Sequence, residues 1–116
     1  MPHFIIDCSA NIISRVQEQK ILATIFEATL SSGLFEEADI KVRLNPYIRY
    51  EVGGKSTDFI HVFSHILEGR TDTEISDLSN RIVKPLTELF PEVELIASSV
   101  EEFTKIGYCN RHLLTR

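Results

Sequence analysis

Apolar and polar positions along the chain fall into four strand-like runs and two helix-like ones. His3 to Ser9 is short and rich in Phe and Ile, which reads as a strand buried on both faces. Ser14-Arg15-Val16-Gln17 has capping-box spacing, and Leu22, Ile25, Phe26 and Leu30 then recur at helical intervals until Ser31-Ser32-Gly33 closes the element. Ile40 to Leu44 alternates, so Ile40, Val42 and Leu44 share one strand face while Lys41 and Arg43 point the other way. Pro46 follows, and Gly53-Gly54 marks a turn. Phe59 to Leu67 is another β-rich run. After Gly69-Arg70, Thr71-Asp72-Thr73-Glu74 forms a second capping box, and Ile75, Leu78, Ile82, Leu86 and Leu89 make a helical stripe that Pro91 stops. Pro85 lies inside that stripe, where it removes a helical hydrogen bond and predicts a kink over Arg81 to Pro85. Val93 to Ala97 predicts a fourth strand, whereas the mixed tail from Glu101 predicts no element.

The order is β-α-β, a hairpin-like link, then β-α-β. Crossovers between parallel strands are right-handed, so the expected class is α+β: two tandem βαβ units in a four-stranded sheet with both helices on one face. The halves, roughly 1–52 and 57–116, are expected to form one domain over 1–116. No third long helix is available for the other sheet face. A further copy of the chain is its expected cover, in a closed homo-oligomer.

Composition narrows the function classes. The chain is 43% hydrophobic and 25% charged, a globular balance. No apolar run approaches the ~20 residues of a membrane span, and no secretory signal opens the chain, so a cytoplasmic location away from membranes is expected. Cys8 and Cys109 read as free thiols, Cys8 as a small core residue. The net charge of −5, from 12 basic and 17 acidic residues, argues against nucleic acid as partner. An anionic ligand would need a local cluster of cations.

Several strings resemble a known family. HILEGRTD, His65 to Asp72, closely resembles the strand-to-helix junction of the 4-oxalocrotonate tautomerases, short βαβ chains that act through an N-terminal proline. The fused, double-length branch of that tautomerase superfamily includes the 5-carboxymethyl-2-hydroxymuconate isomerases. Their pattern resembles this chain at PHFI, Cys8-Ser9 and Asn11-Ile12, at IKVR (Ile40 to Arg43), at Phe59-Ile60-His61, at Gly69-Arg70 and more faintly at Asn110-Arg111-His112. The resemblance implies a homotrimer with active sites near subunit boundaries, and a cofactor-independent and metal-free proton shift in a small anionic enol of aromatic catabolism.

Such a shift needs one group that takes a proton at neutral pH and returns it. An initiator methionine is usually removed before a small residue, which would leave Pro2 a secondary amine. Burial and nearby cations both disfavour the ammonium form, so Pro2 is the candidate base. Arg70, at a strand end and a helix start, is expected to hold a substrate carboxylate with help from helix N-terminal amides. Arg43 and Lys41 are further substrate-binding candidates, with Lys41 standing where the family pattern has an arginine; an ordinary solvated strand face is the other reading of the pair. Ile60 takes the place of Pro2 in the second half, and Glu94 falls near the place of a strand-two cation, so one site per chain is expected. His61 and His65 share a face but stand roughly 13 Å apart at ~3.3 Å per residue, too far to chelate one metal, and read as structural. His3 reads as packed or exposed strand, with a tuning role beside Pro2 as the alternative. Tyr47 and Tyr50 serve either as pocket walls or as hairpin packing. Alternatives of function are tautomerisation of a phenylpyruvate-like enol, or a non-catalytic trimeric binding protein of the same fold.

Overall fold

The computed structural model describes residues 1–114. The elements are β1 (His3–Ser9), α1 (Ile12–Arg15), α2 (Glu18–Ser31), a 3-10 turn (Glu37–Asp39), β2 (Lys41–Tyr47), β3 (Phe59–Leu67), α3 (Asp72–Leu89), β4 (Leu95–Phe103) and α4 (Arg111–Leu114). The four strands form one sheet in the order β2-β1-β3-β4. β1 runs parallel to β2 and β3 parallel to β4, while the central pair β1 and β3 is antiparallel. Two βαβ units thus meet head to tail, and the start of each central strand lies at an opposite end of the sheet.

The two long helices, α2 and α3, cover one face. Phe4, Ile6 and Cys8 of β1 and Ile60, Val62 and Ile66 of β3 are buried with Ile21 and Ile25 of α2 and Leu78, Ile82 and Leu86 of α3. Burial in β1 and β3 alternates strictly along most of their length, so only the even-numbered face is fully buried. The expectation of burial on both faces of β1 is corrected: His3, Ile5 and Asp7 on its odd-numbered face are half-buried, because no helix lies over them.

The local signals divide. The Thr71 capping box forms, with the Thr71 amide donating to Glu74 Oε1 at 2.9 Å and the Glu74 amide to Thr71 Oγ1 at 3.2 Å. The Ser14 box does not form: Ser14 lies inside α1, its hydroxyl donates to the Asn11 carbonyl at 2.7 Å, and α2 starts after Gln17. α3 runs unbroken through Pro85. Gly53 and Gly54 both have positive φ, 57° and 78°, as a tight turn between antiparallel segments requires, and Val52 pairs with Lys55 across it. Pro46 sits within β2, an edge strand, where a missing donor is tolerated.

The fourth strand is longer than the sequence predicts. It continues through Ser98, Ser99, Glu101 and Glu102 to Phe103, because every residue of β3 offers it a partner. Among the described residues, one buried polar side chain has no hydrogen-bond partner: the Ser64 hydroxyl, opposite Phe4.

Candidate active site

Pro2 is buried at the entrance to β1, a central strand, and its carbonyl accepts the Lys41 amide at 3.2 Å. This bond sets the parallel register in which Lys41 faces His3 and Arg43 faces Ile5. The uncovered sheet face therefore carries a row at the Pro2 end made of Lys41, His3, His65 and Glu101, followed by a row of Arg43, Ile5, Phe63 and Ser99. Arg43 Nη1 lies 3.1 Å from His3 Nδ1. Lys41 Nζ donates to the Asp39 carbonyl at 2.8 Å. A surface cleft of about 460 Å³ opens here, lined by His3, Arg43, His65, Phe103, Gly107 and Tyr108.

Arg70 stands at the same end of the sheet, outside the cleft lining. Its Nη1 and Nη2 each donate to a backbone carbonyl at 2.9 Å, of Leu67 and Leu34 respectively, and its guanidinium lies 5.2 Å from the Phe35 ring centre. Phe35 in turn meets Phe4 edge-on at 5.8 Å. Gly69 permits the approach to this junction with φ of 120°, a conformation that side chains disfavour. The helix amides expected to assist Arg70 are in part already engaged, since the capping box occupies those of Thr71 and Glu74.

The electrostatics of this corner are cationic. The Met1 amine is held below its ordinary pKa, chiefly by burial; Asp39 opposes that shift while Lys41 and Arg70 add to it. His3 is likewise lowered, first by burial and then by Arg43, Lys41, the terminal amine and His65. Among the described residues, ion pairs join Arg15 to Asp58 and Glu92, and Arg81 to Asp77. Lys41, Arg43 and Arg70 take part in none of them.

The structure distinguishes between the two readings of Tyr47 and Tyr50. Tyr47 and Tyr50 do not wall this cleft. Tyr47 faces Ser9 at the opposite end of the sheet, and Tyr50 packs on Phe59 at 5.2 Å with its hydroxyl on the Ser56 carbonyl. The tyrosine of the cleft is Tyr108, stacked on Phe103 at 5.6 Å. The two histidines also separate: His61 bonds Ser99 Oγ and stacks on Phe63, whereas His65 lies opposite His3 in the cleft. That pairing was available only through the antiparallel register of β1 and β3. Among the described residues no three His, Cys, Asp or Glu side chains gather as metal ligands, and no helix is long and apolar enough to cross a membrane. A larger groove of about 550 Å³ between α2 and α3 mixes Lys20, Arg81 and Lys84 with Glu27 and Glu88 and holds none of the candidate residues.

Residues 2–100 match the family model of 5-carboxymethyl-2-hydroxymuconate isomerase. The chain belongs to that family. It is an isomerase. Solved structures share its fold. A 5-carboxymethyl-2-hydroxymuconate isomerase from Deinococcus radiodurans R1 superposes with a TM-score of 0.82 at 19% identity, over 99% of this chain and 94% of the other. A 5-carboxymethyl-2-hydroxymuconate delta-isomerase gives 0.77 at 16%, over 100% and 93%. A fused 4-OT protein solved as an asymmetric trimer gives 0.81 at 11%, over 98% and 99%. No curated protein matches the sequence. The family match ends before Phe103, Gly107 and Tyr108, so this isomerase builds one wall of its cleft from residues beyond the matched range.

Proposed function

We propose that this isomerase moves a proton within an enolic di- or tricarboxylate, 5-carboxymethyl-2-hydroxymuconate of homoprotocatechuate-type aromatic catabolism, with Pro2 as base and without a cofactor. The observation that carries this reading is the company Pro2 keeps. In a chain of net charge −5, three cations, Lys41, Arg43 and Arg70, gather at its end of the sheet with no ion-paired carboxylate among the described residues. Such a corner attracts a polyanion and stabilises the charge that builds on a dienolate oxygen.

With Met1 in place the Pro2 nitrogen is an amide. Once Met1 is removed, the amine moves one residue inward, from half-buried Met1 to buried Pro2. Burial and the same cations then act on a secondary amine and favour its neutral form. Neutral Pro2 takes the enol proton and returns it to carbon at the far end of the conjugated system. Lys41 and Arg43 hold the substrate carboxylates, and Arg70 contributes its remaining N–H donors and its charge. The half-exposed odd-numbered face of the sheet supports a homotrimer in which other copies cover it, acting in the cytoplasm on one site per chain.

Intact mass of the N-terminus, paired with an enol ketonisation assay on the trimmed protein, tests the reading. Ketonisation of the carboxylated muconate faster than that of phenylpyruvate enol is the expected result. Preference for the phenylpyruvate-like enol would transfer the assignment to that substrate class. A trimmed but inert protein would leave a non-catalytic binding role.

A further inference from the structure

Arg43 projects from an edge strand, and the one side chain it bonds among the described residues is His3. An arginine has no acceptor, so the contact with His3 Nδ1 has a single sense: Arg43 donates and His3 accepts. The imidazole must then be neutral, with its own proton on Nε2. Burial, followed by Arg43, Lys41, the terminal amine and His65, keeps the ring in that state by lowering its pKa. A neutral ring also leaves the guanidinium charge whole, where a carboxylate partner would have cancelled it.

We infer that His3 is a positioning residue for carboxylate binding: its Nδ1 holds the Arg43 guanidinium in the cleft wall, oriented as a two-pronged fork without being neutralised. The inference deepens the proposed function, since it rests on Arg43 as a carboxylate ligand. Its physical basis is preorganisation. An unrestrained arginine gives up rotamer freedom on binding a ligand, whereas one already fixed gives up less. A cation on the exposed side of an edge strand is ordinarily mobile. Here the cross-strand pair of β1 and β2 supplies the restraint, and the cleft lined by both side chains supplies the place where a ligand meets it.

His3→Leu removes the acceptor, and His3→Asn replaces Nδ1 with an amide oxygen at a similar reach. Calorimetric titration with cis,cis-muconate, a dicarboxylate that carries no enol, reads binding without turnover. We expect about tenfold weaker binding for His3→Leu, and recovery to within about threefold of the native affinity for His3→Asn. With the carboxylated enol as substrate, His3→Leu should raise KM by the same factor and leave kcat nearly unchanged. Native-like affinity in His3→Leu, failure of His3→Asn to recover it, or no muconate binding by the unsubstituted chain would each overturn the inference. Should the muconate pattern hold while no form turns over the enol, the positioning role of His3 stands and the catalytic reading of Pro2 falls.

Discussion

At one end of the sheet Pro2 enters β1 beside Lys41 and Arg43; at the other Asp58 enters β3 beside Leu95 and Ala97. Counting from the strand starts shows that Asp58, and not Ile60, holds the place of Pro2 in the second βαβ unit, and that Leu95 and Ala97 hold the places of the cations. The strand-to-helix junction repeats as well. It carries Arg70 at the first end and Arg15 at the second. Arg70 bonds two carbonyls and keeps its charge, whereas Arg15 is bound to Asp58 at 2.5 Å and to Glu92 at 3.1 Å. Ser9 Oγ donates to Asp58 at 2.8 Å and closes that end further. The far end is also acidic: burial, then Asp7, Glu18 and Asp58, push the Cys8 thiol up to about 11. One architecture has yielded an open cationic corner and a closed ion-paired one. The difference lies in whether the junction arginine meets a carboxylate.

The sharpest way to break this comparison is to substitute both entrance residues. Pro2→Ala in the trimmed protein should slow ketonisation by about 10²–10⁴-fold, the range of a lost general base, while the assembly state measured by light scattering is unchanged. Asp58→Ala should leave the rate per folded chain within about twofold, since Asp58 enters β3 at the end of the sheet opposite Pro2. Equal losses would erase the distinction between the ends.

Arg70 separates charge from scaffold. Arg70→Ala should raise KM for carboxylated enols about tenfold and destabilise the fold by on the order of 1 kcal/mol, as the carbonyls of Leu34 and Leu67 lose their donors. Arg70→Lys restores a charge but cannot reach both carbonyls, so it should recover much of KM and little of the stability in urea unfolding. A KM loss that is the same on an uncharged enol would remove Arg70 from substrate binding.

The closed end predicts a pH dependence. Burial alone would raise the Asp58 pKa, but hydrogen bonds from Ser9 and Arg15, the Arg15 charge and Asn11 outweigh it and hold the carboxyl below its ordinary value. A depressed folded pKa gives stability that is fully present above the unfolded value of ~3.9 and is lost as pH falls through the folded one. Asp58→Asn should therefore cost on the order of 1 kcal/mol at pH 7 and nothing once pH lies below both values, as read by urea unfolding across that window. The smallest effect is expected in the core between the two ends. Ser64→Ala deletes a buried hydroxyl without a partner and should change stability by less than about 1 kcal/mol, in the stabilising direction.

Much of the fold was legible because periodicity and caps are local. β3 ends where its apolar run ends, and α3 begins where the Thr71 capping box begins. β4 was only half legible. Ser98, Ser99, Glu101 and Glu102 are poor strand signals by themselves, yet pairing with β3 holds them extended. The Ser14 box misled because four residues of α1 took up the serine before α2 could start. Within the candidate site, Pro2, Lys41 and Arg43 could be named from the chain, since a proline before a strand and alternating basic residues are sequence features. His65, Phe103 and Tyr108 could not, because their place beside His3 depends on register across β1 and β3 and on the path of the tail.

The order of residues by itself therefore determined the two βαβ units, the apolar face of each helix and the family, since short-range spacing and side-chain chemistry encode all three. Only the tertiary structure decided which arginine keeps its charge available. Arg15 and Arg70 occupy matching junctions in the chain, but the nearest acceptor is a carboxylate for one and a pair of backbone carbonyls for the other. Coulomb energy depends on distances in space, and residues 43 and 36 positions away in sequence set those distances.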